Sequence, residues 1–211
     1  MGGNGVYKKA IERLRGRIPK ILGHEEYFES AVILPLVEQE GQYRILFQKR
    51  ADKLIHQPGE ISFPGGKIEP EDSSPQAAAI RETCEELGLE PKHIQVITPL
   101  DIMVSPFNAI VYPYLAHITE PEIIVPNPDE VDEIFYVPLD FLLNCEPLYK
   151  PIWISVSAPE DFPFEMIPQG KAYPFRNGTL PQFFYLWEDR VIWGLTARIL
   201  THFLKLLRAA C

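Results

Sequence analysis

The sequence predicts an α/β protein, an α/β/α sandwich built on a mixed sheet, and three observations carry that prediction. Two apolar, β-branched runs, Ala31 to Val37 and Tyr43 to Lys49, are joined by the polar link Glu38-Gln39-Glu40-Gly41-Gln42, the pattern of a hairpin. A punctuated helix is expected over 75 to 87, with Ser74 as N-cap, Pro75 at the first helical position and Gly88 just past the end. Further strand-like runs follow, and a helical period over Leu195 to Leu207 closes the chain, so strands and helices alternate as a layered fold requires. At 211 residues and 24.1 kDa, with 46% apolar and 23% charged residues, the composition suits one soluble globular domain spanning 1 to 211.

Residues 1 to 22 carry six Lys or Arg against the single Glu12, a net of +5 that leaves −14 for the rest of a chain whose net charge is −9. Ile11, Leu14, Ile18 and Ile21 recur at helical spacing, so Tyr7 to Leu22, within an N-terminal segment of 1 to 25, reads as a basic amphipathic helix. It is expected to pack on the domain; contact with a membrane surface or a polyphosphate is the weaker alternative. No apolar stretch of signal-peptide type follows the basic residues and no run is long enough to span a bilayer, so no membrane partner is expected. The overall acidity argues against a nucleic-acid coat and for small nucleotides met through a metal. Cys84, Cys145 and Cys211 are too few and too dispersed for a disulfide scaffold or a zinc site, which fits a reducing cytoplasm.

After the hairpin the chain turns polar from Arg50 to Gly59, then enters a short strand at Glu60 to Phe63. Arg50, at a strand end, is a candidate phosphate contact or a surface ion pair. His56 has a substrate-facing or a purely structural hydrogen bond open to it. Beyond the helix, Ile94 to Val104 and Ala109 to Ile118 read as strands joined by Ser105-Pro106-Phe107-Asn108, with Pro113 marking the second as an edge or bulged strand. An acidic stretch, Glu120 to Glu133, precedes a strand at Ile134 to Val137 and a short helix at Pro138 to Asn144. The Pro- and aromatic-rich segment 146 to 181 reads as irregular: a substrate lid or wall, or an aromatic core between subunits, which leaves a homodimer open. Phe183 to Trp187 and Arg190 to Trp193 form a last hairpin around Glu188-Asp189, and a C-terminal helix over 194 to 208 should pack on the sheet.

The chemistry concentrates between 63 and 89. Along the helix Ala77, Ile80, Cys84 and Leu87 fall in one apolar arc, while Glu82, Glu85 and Glu86 gather on the other side. Like charges at such spacings cost about 0.2–0.5 kcal/mol each, and anions near a helix C-terminus are disfavoured by a similar amount. Arg81 can neutralise one carboxylate, which leaves a cluster suited to a hard divalent cation, Mg²⁺ or Mn²⁺. Phe63-Pro64-Gly65-Gly66 just before it is a segment where the backbone comes close to a ligand or to a packed neighbour.

These residues resemble a known family. Gly66 followed by Arg81-Glu82-x-x-Glu85-Glu86-x-Gly88-Leu89 looks like the box of Nudix hydrolases, which cleave nucleoside diphosphates linked to another moiety with box-bound divalent metal. Leu54 to Gly66 and Ile192 to Leu200 look like the additional motifs of the coenzyme A diphosphatase branch. Box spacing puts an acid at 73, where this chain has Ser73 with Asp72 one place earlier; Ala51 and Ile55 stand where the branch motif has a serine and an arginine. The resemblance implies the Nudix fold, with Glu82 and Glu86 as metal ligands and Glu85 as a further ligand or the base for the attacking water. It implies that Arg81 orients a glutamate through a bidentate pair, that Asp72 substitutes for the absent box acid, and that Glu130 or Glu133 brings a further catalytic carboxylate. Arg50, His56, Gly65 and Gly66 are the implied substrate-binding positions, with Gly65 or Gly66 lending a carbonyl to the metal. The implied reaction is hydrolysis of coenzyme A or a derivative to 4′-phosphopantetheine and adenosine 3′,5′-bisphosphate. The alternatives are an ADP-ribose or dinucleotide diphosphatase, or an inactive nucleotide-binding protein of the same fold.

Overall fold

In the computed structural model, which describes residues 3 to 210, the organising feature is a pair of strands that start together and then part. β1 (Phe28–Gln39) and β2 (Gln42–Arg50) form the expected hairpin, and Glu40 and Gly41 take positive φ at its turn. The two are paired only from Leu36↔Ile45 to Gln39↔Gln42. Beyond that they splay, and the segment that follows fills the gap. Its β3 (Ile61–Ser62) pairs with Lys49 and Gln48 of β2, and its β4 (Gly65–Lys67) pairs with Val32, Ala31 and Ser30 of β1. The glycine-rich segment is thus held inside the sheet by both parting strands.

Three further strands complete the larger sheet on the β1 side: β5 (Ile94–Pro99), β6 (Met103–Ser105) and β7 (Ala109–Ile118). β7 runs parallel to β1, which makes the sheet mixed, and carries β5 and β6 antiparallel on its other edge. Pro113 therefore lies in an interior strand, not at the edge that a missing N–H suggested. It is tolerated because β5 ends opposite Tyr114 and β6 begins opposite Val111, so no partner on that side needs the absent donor. On the far edge β8 (Val131–Pro138) pairs along β2, with a register shift between Lys49 and Arg50.

Alternation along the strands divides the core in two. Ala31, Ile33, Val37 and Leu46 face one side, under the helix α2 (Pro75–Leu87). Leu34, Ile45, Phe47, Phe135 and Val137 face the other, where α3 (Leu139–Asn144) and α4 (Gly194–Ala210) pack with Leu142, Leu200, Phe203 and Leu204. This is an α/β/α sandwich. Between α3 and α4 lie β9 (Leu148–Tyr149), β10 (Ile152–Ile154), β11 (Gly178–Leu180), β12 (Phe183–Trp187) and β13 (Arg190–Ile192). The segment read as irregular thus contains a small ribbon, β10 with β11, and its aromatics Phe162, Phe164, Tyr173 and Phe175 meet edge to face within one chain. Trp153 stays 78% exposed.

The N-terminal helix α1 (Gly3–Arg13) is shorter than the expected Tyr7 to Leu22 and is not packed on the domain: Tyr7, Ile11, Leu14, Ile18 and Leu22 are all exposed. Helical spacing was present, but Gly16 with φ of 74° and Pro19 break it before a face long enough to dock is built. No helix among the described residues is long and apolar enough to cross a membrane.

Candidate active site

α2 begins and ends where its punctuation says. Ser74 Oγ accepts from the Ala77 N–H at 3.1 Å, and Gly88 closes the helix with φ of 66°. Its rotation differs from the expected one. The buried side is centred on Ala79, Thr83 and Glu86 rather than on Ala77, Ile80 and Cys84, a displacement of about one residue's turn. The small side chains of Ala78 and Ala79 let the helix sit close over β1 and β4, and Thr83 satisfies its buried hydroxyl by donating to Ala79 O at 2.7 Å. That rotation carries Glu86 inward.

Glu86 is only 3% exposed and accepts the Gly65 N–H at Oε2, 2.8 Å away. Burial pushes its carboxyl up to about 7, against the opposing effects of the Gly65 N–H, the Gln48 amide and the Arg50 guanidinium; nearby Glu130 adds to the rise. Glu82 lies one turn back over Gly66, where a Cβ would overlap its carboxylate. Burial raises its carboxyl too, opposed by Arg81, with Glu85 and Glu130 adding to the rise. Glu85 is on the outer side of the helix, more than half exposed, touching Arg81 at 3.4 Å.

Arg81 is the hub of this face. Its Nε and Nη2 donate to the two oxygens of Asp72 at 3.1 and 2.9 Å, Nη1 donates to Glu82 at 2.8 Å, and Nη2 also reaches the Lys67 carbonyl at 3.1 Å. The bidentate partner is therefore Asp72 and not a glutamate. Asp72, offset by one residue from the box acid, anchors the arginine that in turn holds Glu82.

The two glycines divide their work. Gly65 has φ of 141° and lies so close to β1 that a Cβ would overlap the Ala31 carbonyl, so its neighbour is backbone. Gly66 leaves room for a carboxylate. Arg50 sits past the register shift on the face of Glu86 and donates Nη2 to the His56 carbonyl at 3.4 Å, while the His56 ring is exposed. Glu130 and Glu133 are separated by the sheet. The loop before β8 docks on the end of α2 through Asn127 N–H to Glu86 O at 2.9 Å and Val125 N–H to Leu87 O at 3.0 Å, which brings Glu130 toward Glu82 and Glu86. Glu133 pairs with Lys49 in register, on the opposite face, where it bonds Arg190, whose guanidinium lies 4.9 Å over the Phe135 ring.

Sequence reading missed Gln48. It is fully buried on β2, pointing to the α2 side like Leu46, and faces Glu86 from beneath. The available signal was a lone amide in the apolar run Ile45-Leu46-Phe47.

A hard divalent ion fits this donor set. Two desolvated carboxylates, Glu82 and Glu86, with Glu130 nearby, could supply oxygen ligands, and Glu82 occupies the side of Gly66 that lacks a Cβ. Among the described residues no three His, Cys, Asp or Glu side chains already converge at metal-ligand spacing, since Arg81 holds Glu82 and Glu85 lies outside.

A NUDIX domain model matches residues 27 to 154, which covers the splayed strands, the glycine segment and α2. The chain belongs to the Nudix family. Its curated relatives include the peroxisomal coenzyme A diphosphatase NUDT7 of Mus musculus, 39% identical over 148 residues, which are 70% of this chain and 63% of the mouse protein. The mitochondrial coenzyme A diphosphatase NUDT8 of Homo sapiens is 34% identical over 185 residues, 84% of this chain and 69% of that one. Among solved structures, a MutT/nudix family protein from Enterococcus faecalis aligns over 96% of this chain and 70% of its own, with a TM-score of 0.53 at 16% identity, a likeness of fold. The family expected from the box is thus shown, and the relatives named here are coenzyme A diphosphatases, the branch that the flanking motifs resemble.

Proposed function

We propose that this Nudix protein hydrolyses the diphosphate of coenzyme A or a derivative, giving 4′-phosphopantetheine and adenosine 3′,5′-bisphosphate, with Mg²⁺ or Mn²⁺ held by Glu82 and Glu86. The observation that carries the chemistry is the pair of part-desolvated carboxylates, Glu82 and Glu86, held against Gly66 and Gly65 where β1 and β2 part, with Glu130 and Arg50 near enough to act on them. When bound, the ion supplies neutralisation of diphosphate charge and acidifies the attacking water. In this reading Arg50 binds a phosphate oxygen. In this reading Glu130 takes the proton as the water oxygen adds to phosphorus and the anhydride P–O bond breaks, with the electron pair leaving on the other phosphate. Glu85 remains a candidate for a second ion or for the base, at the outer edge of the same face.

The substrate reading rests on the branch motifs at 54 to 66 and 192 to 200 and on the names of the relatives. An ADP-ribose or dinucleotide diphosphatase is the second reading, favoured by Ile55: it is 91% exposed, a neutral side chain where the branch motif has an arginine. Incubation with coenzyme A, ADP-ribose, NADH and nucleoside triphosphates, each with Mg²⁺ and with Mn²⁺ and with products resolved by mass, decides between them. Preferential cleavage of coenzyme A is expected. Preference for ADP-ribose or NADH would move the assignment to the second reading, and no cleavage of any would leave a binding protein. A reducing compartment is proposed from the free thiols of Cys84 and Cys145; Cys211 lies outside the described residues.

A further inference from the structure

Beneath Glu86 the sheet holds polar atoms that no fold stability accounts for. Gln48 is fully buried, and neither its Nε2 nor its Oε1 has a hydrogen-bond partner. Directly across the ladder, paired with it in register, is Ser62 of β3, whose buried Oγ is also unpartnered, and two residues along β2 the buried Nε of Arg50 is unpartnered too. Buried amides and hydroxyls are nearly always paired, so three such residues at adjacent positions call for a reason. Gln48 and Ser62 lie on the side of the sheet that faces α2, because Leu46, Gln48 and Ser62 share one alternation and Phe47, Lys49 and Ile61 the other, and Arg50, past the register shift, is near enough to act on the same carboxyl. The group they face is the Glu86 carboxyl, whose Oε2 accepts the Gly65 N–H and whose charged form the Gln48 amide favours.

We propose that Gln48 is a positioning residue for Glu86, in a three-member chain in which the Ser62 hydroxyl donates to Gln48 Oε1 and Gln48 Nε2 donates to Glu86 Oε1. The chain pairs every orphan on the Gln48 amide. With Gly65 N–H on one oxygen and Gln48 on the other, the plane of the carboxylate is fixed from both sides, so its remaining lone pairs point over Gly66 toward Glu82. Partners of this kind orient ligands, and their loss typically weakens metal binding 10- to 100-fold. This role rests on Glu86 being a ligand, as proposed above, and adds that the ligand's direction is set from inside the sheet by β2 and β3.

The test uses the full chain and Mg²⁺ alone as the probe. Gln48→Met keeps length and volume but removes both polar ends; by calorimetry its Mg²⁺ affinity should fall about tenfold or more. Its metal-free denaturant midpoint should fall, since the Ser62 hydroxyl and Glu86 Oε1 lose the partner that the chain gives them. Ser62→Ala should weaken Mg²⁺ binding in the same direction but less, and should have no further effect in the Gln48→Met background, because the hydroxyl acts only through the amide. With the preferred substrate, kcat should fall while KM stays level. Wild-type Mg²⁺ affinity in Gln48→Met overturns the proposal, as does a Ser62→Ala effect that adds in full to that of Gln48→Met. Should Gln48→Met not fold, Ser62→Ala decides: unchanged Mg²⁺ affinity overturns the chain. If the wild-type protein itself takes up no Mg²⁺, the metal site fails and this inference with it, a result distinct from wild-type uptake that Gln48→Met leaves intact.

Discussion

Replacing Glu86 by glutamine separates the cost of the site from its use. In the metal-free protein burial raises this carboxyl from 4.5 to about 7, so folding favours its protonated form. For an acid raised in the folded state, the unfolded chain binds fewer protons between those two values, and stability falls as pH rises through that window. Below about pH 4.5 the group is neutral in both states and costs nothing extra. Above about pH 7 it is charged in both, and the folded protein carries the whole penalty, which at 1.4 kcal/mol per unit is about 3 kcal/mol. Glutamine is neutral at every pH and can still accept the Gly65 N–H. Glu86→Gln should therefore match the wild type near pH 4.5 and exceed it by about 3 kcal/mol near pH 8, a rise in Tm of roughly 6–12 °C for a chain of this size. Urea unfolding in the presence of a chelator, repeated across that pH range, measures the difference. Saturating Mg²⁺ should then stabilise the wild type and leave the variant unmoved. A difference that is the same at pH 5 and pH 8, or a variant less stable than wild type at pH 8, would refute the claim that burial of this carboxylate is what the fold pays for its site.

Other substitutions divide structure from chemistry in the same way. Gly66→Ala puts a methyl against the Glu82 carboxylate, the movable end of a side chain, so urea stability should change by less than about 1 kcal/mol while calorimetric Mg²⁺ affinity falls at least tenfold. Gly65→Ala meets backbone at Ala31 from a φ of 141° and should cost at least about 3 kcal/mol in the same unfolding assay. Glu130→Gln should lower kcat for the preferred substrate by about 100-fold or more, whereas Glu133→Gln, on the other face of the sheet beside Arg190, should leave it within about twofold. Ser74→Ala removes the cap on α2 and should cost about 1 kcal/mol, read as a Tm lower by roughly 2–4 °C.

What the sequence disclosed and what it hid follow one physical line. Local signals were legible: Ser74, Pro75 and Gly88 bound α2 at the residues they mark, because capping and φ preferences act within a turn of the chain. The hairpin at Glu40-Gly41 was legible for the same reason. Facing was not. The apolar arc of α2 misplaced its buried side because the helix docks through small residues, Ala78 and Ala79, and because a backbone N–H at Gly65 makes a buried glutamate affordable. Glu133 and Glu130 are three residues apart in an acidic stretch and indistinguishable there; only the register of β8 on β2 sends one to Arg190 and leaves the other in the loop that docks on α2.

The same register explains why the site lies where it does. A carboxylate cluster on a helix surface would be solvated and weak. Here the parting of β1 and β2 opens the sheet beneath α2, and the wedge of β3 and β4 fills the opening with Ser62, Gly65 and Gly66 instead of bulky side chains. A gap in the ladder would normally expose unpaired backbone, but Pro64 O takes the Ile33 N–H at 2.9 Å and Gly65 N–H is given to Glu86. The backbone donor that the splay leaves free is thus the partner of the buried Glu86, and the helix rotation that sequence periodicity did not foresee brings the two together.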